Sequence, residues 1–270
     1  MADSSRFIIP GKTKPYVMAH RGNKVACPEN TLSAFQRAFL DGADILETDL
    51  RLSSDGHIFC LHDGTVNRTT DGHGRAEAMT METLKGLSAG AGMPGFETER
   101  IPLLDEVFEI LPHDCCLALE LKSNQFTQKK ICEQLVSSLR RQNLLERTVI
   151  ISFSMPRLLA MRSVEPTIMT GLLSATRLWP HREVDVFGTL WPNLFINPIL
   201  GWIIKRRKMA FCPIDTKPDK KLWYYKWLQC DAILTDNSEA TCRALNRSQR
   251  AQSSLRHPSG NSSAARVHRS

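Results

Sequence analysis

Seven residues have the types and spacing to handle a phosphate. His20 and Arg21 follow the apolar run YVMA, and Glu47 and Asp49 stand two apart inside DILETDLRLS at residues 44–53. His62 ends HIFCLH at 57–62, and Glu120 and Lys122 stand two apart in CLALELK at 116–122. Side chains two apart on a strand share a face, so each of the two pairs is presented together. Carboxylates of like charge gathered in one buried place repel strongly and call for a cation between them. Glu47, Asp49 and Glu120 offer hard oxygens and no thiolate, a donor set that suits Mg²⁺ or Ca²⁺ rather than zinc. Such an ion takes a phosphate oxygen readily. Arg21 and Lys122 add positive charge, Arg21 with a planar fork matched to phosphate. His20 and His62, titrating near neutrality, make an acid and base pair. Two imidazoles, two cations and a metal site together spell phosphoryl transfer.

These residues need strands to carry them. Short β-rich runs alternate with amphipathic helical stretches almost to the end of the chain, a pattern of parallel strands with crossover helices. YVMAH, DILETDLRLS, CLALELK, TVIISF at 148–153, IMTGLL at 168–173, an apolar run near 187–196, MAFCPI at 209–214 and DAILT at 231–235 supply eight strands. A closed (β/α)8 TIM barrel is the expected fold, and in such barrels the strands' C-terminal ends carry the active site. The predicted helices cover 127–142, 155–164, 198–207 and 218–229, with a first one from near Pro28–Thr31 to Gly42 and a last one reaching about 246. Segment 63–103, rich in Gly, Thr and Met, has no place in the repeat and is expected to be a small insertion after the second barrel strand. The expected domain is 15–246, with 247–270 as a tail.

Composition narrows the function classes. The formal net charge is +7, and residues 247–270 hold five arginines and no acid, leaving +2 for everything before them. The folded part is nearly neutral, so no nucleic-acid partner is expected. The tail is Ser- and Arg-rich with little aliphatic bulk, and disorder is expected for it. No run of eighteen uncharged apolar residues is present, and the N-terminus lacks a long apolar signal core, so a cytoplasmic location is expected. The eight cysteines show no zinc-site or CxxC spacing and read as reduced, buried thiols. Trp202, Ile203 and Ile204 beside Lys205–Lys208 would suit a peripheral membrane contact, but a barrel helix with its apolar face buried and its basic residues solvated is the preferred reading. Trp223, Tyr224, Tyr225 and Trp227 read as helix-to-barrel packing. In PENT at 28–31, Pro28 and Thr31 have the character of a helix cap, while Glu29 and Asn30 are placed to brace the neighbouring histidine.

The chain resembles the glycerophosphodiester phosphodiesterases. AHRG and PENT, then GADILETDLRLSSDG, LHDGTVNRTTDGHG, IPLLDEVFEILP, LALELK and IISFS follow the order of that family's motifs from residue 17 to about 155. The resemblance implies a TIM barrel with a small insertion after the His-Asp motif. It implies a divalent cation held by Glu47, Asp49 and Glu120, catalytic histidines at His20 and His62, and phosphate contacts from Arg21 and Lys122. The implied reaction is hydrolysis of a small glycerophosphodiester to glycerol 3-phosphate and an alcohol. Alternatives are a lysophospholipase D on the same fold and a non-catalytic phosphodiester-binding barrel; the second would be marked by loss of a histidine or a carboxylate, and none is lost. The second half departs from the family. FCPIDT stands where relatives carry a Trp-Thr-Val-Asn-like stretch, so an aromatic wall is expected to be missing near Cys212. CDAILTDNSEA at 230–240 resembles the closing motif, with Cys230 in place of a glycine.

Overall fold

The computed structural model describes residues 8–174, 183–190, 209–215, 218, 221–227 and 230–246. Nine strands are described: β1 (Tyr16–His20), β2 (Ile45–Leu52), β3 (Ile58–Cys60), β4 (Cys116–Leu121), β5 (Thr148–Ser152), β6 (Met169–Ser174), β7 (Val186–Leu190), β8 (Ala210–Ile214) and β9 (Ala232–Thr235). The described α-helices are α1 (Leu32–Leu40), α2 (Met81–Gly86), α3 (Leu104–Ile110), α4 (Lys129–Arg141), α5 (Met155–Val164), α6 (Leu222–Trp227) and α7 (Ser238–Ala244). Eight strands run parallel in the order β1-β2-β4-β5-β6-β7-β8-β9, and β9 pairs back onto β1 to close the barrel. β3 stands outside this ring, antiparallel to β2.

Strand parity decides which residues reach the barrel interior. Leu46 and Leu50 of β2 and Leu117, Leu119 and Leu121 of β4 join the outer layer with Phe35 and Phe39 of α1. Their alternates, Ile45 and Ala118, pack inside with Met18, Val149, Val186 and Ala232. Glu47, Asp49 and Glu120 share the inward parity, and the β2–β4 register sets Asp49 beside Glu120. The helices present matching stripes, as in α4, where Cys132, Leu135, Val136 and Leu139 are buried at helical spacing.

An aspartate just ahead of a strand serves three times to lock the neighbouring strand's start. Asp44, Asp185 and Asp231 accept from the backbone N–H groups of Val17, Thr170 and Phe211 at 2.9, 2.9 and 2.8 Å. This fixes register at the end of the barrel opposite the site.

Residues between β3 and α3 build a small core of their own, in which Val66, Ala76, Met81, Leu84 and Ile101 gather around Phe59 and Leu61. HIFCLH therefore forms only a three-residue strand, and His62 sits in the loop beyond it. α1 starts where PENT predicts: Thr31 caps it by accepting from the Ala34 N–H at 3.2 Å. Tyr225 packs as expected and donates to Asp215 at 2.5 Å, but Trp223 is 69% exposed because it falls on the outward face of α6. The Tyr224 and Trp227 side chains, the run 191–196, the helix expected at 198–207 with its membrane-contact residues, and the tail 247–270 lie outside the described residues. No described helix is long and apolar enough to cross a membrane.

Candidate active site

The turn after β1 is built for one geometry. Arg21 has φ +59°, a left-handed value that a long side chain adopts at a cost. Its N–H lies 3.0 Å from both the Glu47 carbonyl and Glu47 Oε2, and its carbonyl accepts from Asn30 N–H at 3.1 Å. Gly22 follows at φ +81°, and a Cβ there would lie 2.5 Å from the Ala34 backbone, so only glycine lets α1 approach so closely. The strained turn thus aims Arg21 back over the acidic cluster.

Oxygens of Glu47, Asp49 and Glu120 lie within 4.8 Å of one another, and all three residues are buried. Asp49, fully buried, is held from both sides: Arg21 Nε is 3.1 Å from Oδ2 and Lys122 Nζ is 3.2 Å from Oδ1. Neither Asp49 Oδ1 nor Arg21 Nε makes a well-formed hydrogen bond. Lys122 also reaches Glu120 Oε1 at 2.8 Å, and Asn30 donates to Asp49 Oδ2 at 2.9 Å. Burial alone would raise the Asp49 pKa, but Lys122 and Arg21 outweigh it and hold the group below its ordinary range. Glu47 is pushed well above its ordinary value by burial and by Asp49 and Glu120, and Glu120 rises to about 7 by burial and the Asp49 charge. Burial would lower the Lys122 pKa, yet Asp49 and Glu120 raise it. Burial and mutual repulsion oppose full ionisation of the three carboxylates even beside Arg21 and Lys122, and a further cation would relieve that opposition. A buried carboxylate oxygen with no well-formed hydrogen bond, among hard oxygen donors, fits a divalent ion.

Those raised values have a thermal consequence. Both glutamates bind protons more tightly folded than unfolded, so the stability they contribute to the metal-free fold is lost as pH climbs above about 4.5 and through their folded pKa values. A divalent cation relieves that loss and must displace protons at low pH. Saturating Mg²⁺ or Ca²⁺ is therefore expected to raise the melting temperature by about 5 °C at pH 8 and by about 1 °C or less at pH 5. Equal shifts at both pH values, read by differential scanning fluorimetry, would contradict this.

Each histidine has a carboxylate behind it. Asp236, immediately after β9, lies 2.7 Å from His20 Nδ1, and Lys24 Nζ lies 2.9 Å from the same Asp236 oxygen. Asp63 Oδ1 lies 2.6 Å from His62 Nδ1. Arg51 fixes the His62 backbone, donating to its carbonyl through Nη2 at 2.7 Å. Burial lowers both histidine pKa values, with the Asp236 hydrogen bond opposing it at His20 and the Asp49 charge opposing it at His62. With Nδ1 engaged by a carboxylate, each imidazole has Nε2 left for proton transfer.

Six of the seven predicted residues line one cavity of about 250 Å³, and Asp49 lies buried beneath them. Ile151, Phe153, Leu173, Cys212 and Ile214 form an apolar side of the same cavity. Among the described residues, Leu173, Cys212, Ile214 and Leu234 line the cavity on the FCPIDT side. Glu29 and Asn30 do not brace a histidine: Glu29 pairs with Arg21 and Arg68, and Asn30 with Asp49, because the PENT turn packs against the cations and the acid cluster. Asp63, Arg68 and Asp236 were not singled out from the sequence. Asp236 obeys the same strand-end rule that picks out the others, and Asp63 adjoins His62.

Residues 20–194 match the model of the glycerophosphoryl diester phosphodiesterase family. The chain belongs to that family. A glycerophosphodiester phosphodiesterase from Caldanaerobacter subterraneus subsp. tengcongensis is 41% identical over 243 residues, 87% of this chain and 99% of the relative. Human glycerophosphodiester phosphodiesterase 1 is 33% identical over 207 residues, 73% of this chain and 62% of that protein. An Oleispira antarctica phosphodiesterase solved with the product sn-glycerol-3-phosphate superposes with a TM-score of 0.78 at 25% identity, covering 86% of this chain and 97% of that one. The Agrobacterium tumefaciens glycerophosphodiester phosphodiesterase shares the fold, with a TM-score of 0.74 at 22% identity over 84% of this chain and 99% of that one. This glycerophosphodiester phosphodiesterase is thus a phosphoric diester hydrolase, with its acidic cluster and paired imidazoles opening on one cavity.

Proposed function

We propose that the cavity hydrolyses glycerophosphodiesters by histidine acid–base catalysis assisted by a divalent cation. The convergence of Glu47, Glu120, His20, His62, Arg21 and Lys122 on one cavity carries this reading. Glu47, Asp49 and Glu120 would hold Mg²⁺ or Ca²⁺, which supplies Lewis-acid polarisation of the phosphate when bound. Arg21 and Lys122 neutralise the phosphate oxygens as charge develops on them. One imidazole accepts the proton of the attacking oxygen, either water or the substrate's own glycerol hydroxyl, as the new P–O bond forms. The other, entering the step as an imidazolium, gives its Nε2 proton to the alcohol oxygen as that oxygen's bond to phosphorus breaks. With the hydroxyl as nucleophile, a cyclic phosphate forms first and water opens it. Asp236 and Asp63 hold the imidazoles in the required tautomer. We assign 15–246 as the catalytic unit, 63–103 as its insertion and 247–270 as an appended tail.

The apolar side formed by Ile151, Phe153, Leu173 and Ile214 favours a second reading, a lysophospholipase D whose substrate lays an apolar portion there. Choline release from glycerophosphocholine and from lysophosphatidylcholine, with Mg²⁺ or Ca²⁺, separates the two. Turnover of the small diester supports the first reading. Turnover of the lipid alone replaces it with the second.

A further inference from the structure

Arg68 lies in the insertion, yet its guanidinium is committed to the barrel mouth. Nε donates to Asp63 Oδ2 at 2.7 Å and Nη2 to Asp63 Oδ1 at 3.1 Å. On its other side Nη1 donates to Glu29 Oε2 at 2.9 Å and Nη2 to Glu29 Oε1 at 2.8 Å. Both carboxylates are gripped by two hydrogen bonds each. Asp63 is the group behind His62, and Glu29 Oε1 accepts from Arg21 Nη1 at 3.0 Å. A continuous chain therefore runs His62–Asp63–Arg68–Glu29–Arg21, joining an imidazole presented by the insertion to a cation presented by the β1–α1 turn.

We propose that Arg68 is a positioning residue that sets the separation of His62 and Arg21 across the cavity, acting through one carboxylate on each side. The proposal rests on the roles assigned to His62 and Arg21 above. Those two side chains come from different segments: His62 lies beyond β3, which stands outside the ring, and Arg21 lies in the turn just after β1. β2 pairs with both β1 and β3 and so fixes their backbones, while Arg68 links the two side chains, a task suited to a guanidinium because its donors are fixed in one plane. A lysine offers the same charge from a single point and cannot grip both carboxylates side-on. Removing Arg68 also leaves Asp63 and Glu29 facing each other without a shared cation, so each is free to turn toward its remaining partner. The Arg68 side chain is itself 47% exposed, and an exposed ion pair adds little to folding stability. The signature of positioning is hence a loss of turnover without a loss of fold.

The test compares kcat, KM and melting temperature of Arg68→Met, Arg68→Lys, Glu29→Gln, the Arg68→Met/Glu29→Gln double variant and His62→Ala, using glycerophosphocholine with Mg²⁺ or Ca²⁺. Arg68→Met is expected to lower kcat by about 10- to 100-fold with KM changed less than about threefold. Its melting temperature should stay within about 2 °C. Arg68→Lys should recover less than half of the lost turnover, and the double variant should be no slower than its slower parent, as two breaks in one chain require. Near-normal kcat in Arg68→Met, full recovery in Arg68→Lys, multiplicative losses in the double variant, or a loss that tracks unfolding would each overturn the proposal. His62→Ala keeps the two levels apart. If it is active, the histidine role itself fails; if it is inactive while Arg68→Met is normal, only the positioning role fails.

Discussion

His20→Ala and His62→Ala are each expected to lower kcat by about 10³-fold, the ordinary worth of a positioned acid or base in the transition state. Each imidazole faces the cavity and is backed by a carboxylate at 2.7 or 2.6 Å. Neither is part of the main hydrophobic clusters. The melting temperature should therefore move little while turnover collapses, and bound Mg²⁺ or Ca²⁺ should be retained. Steady-state kinetics beside a thermal melt and a metal titration check all three. If both variants kept near-normal turnover, the acid–base assignment would be wrong.

Glu47→Gln should separate catalysis from stability in the opposite direction. The substitution keeps an oxygen to accept from the Arg21 N–H and removes one of three buried carboxylates. Metal polarisation contributes several kcal/mol to a transition state of this kind, so turnover is expected to fall by about 10³-fold or more. In the absence of metal, the same change removes a carboxyl group whose ionisation burial, Asp49 and Glu120 oppose in the folded state. The metal-free variant should then melt higher than the metal-free parent at pH 8, by about 3 °C. Loss of stability together with activity would show that Glu47 serves the fold rather than an ion.

The barrel was legible because its strands carry two signals at once. β2 and β4 alternate leucines bound for the helices with residues bound for the interior, and that parity alone sets Glu47, Asp49 and Glu120 together. His62 was legible as a residue but not as a position: HIFCLH has the composition of a strand, yet only Ile58–Cys60 pairs, outside the ring. The carboxylates behind the histidines were harder to see because they depend on closure. Asp236 is 216 residues from His20 and meets it only when β9 pairs with β1. Arg68 reaches Glu29 across 39 residues through a loop whose path no periodicity encodes. The charge of Arg21 is plain in the sequence, while the left-handed turn that aims it depends on Gly22 packing against Ala34.

The most direct test of the account is release of glycerol 3-phosphate from glycerophosphocholine by the full chain, stripped with EDTA and then supplied with Mg²⁺ or Ca²⁺. No turnover is expected in EDTA, with recovery on adding one or both ions and no such recovery in Glu47→Gln. Undiminished turnover in EDTA would contradict it, because the three buried carboxylates would then have no part in the reaction.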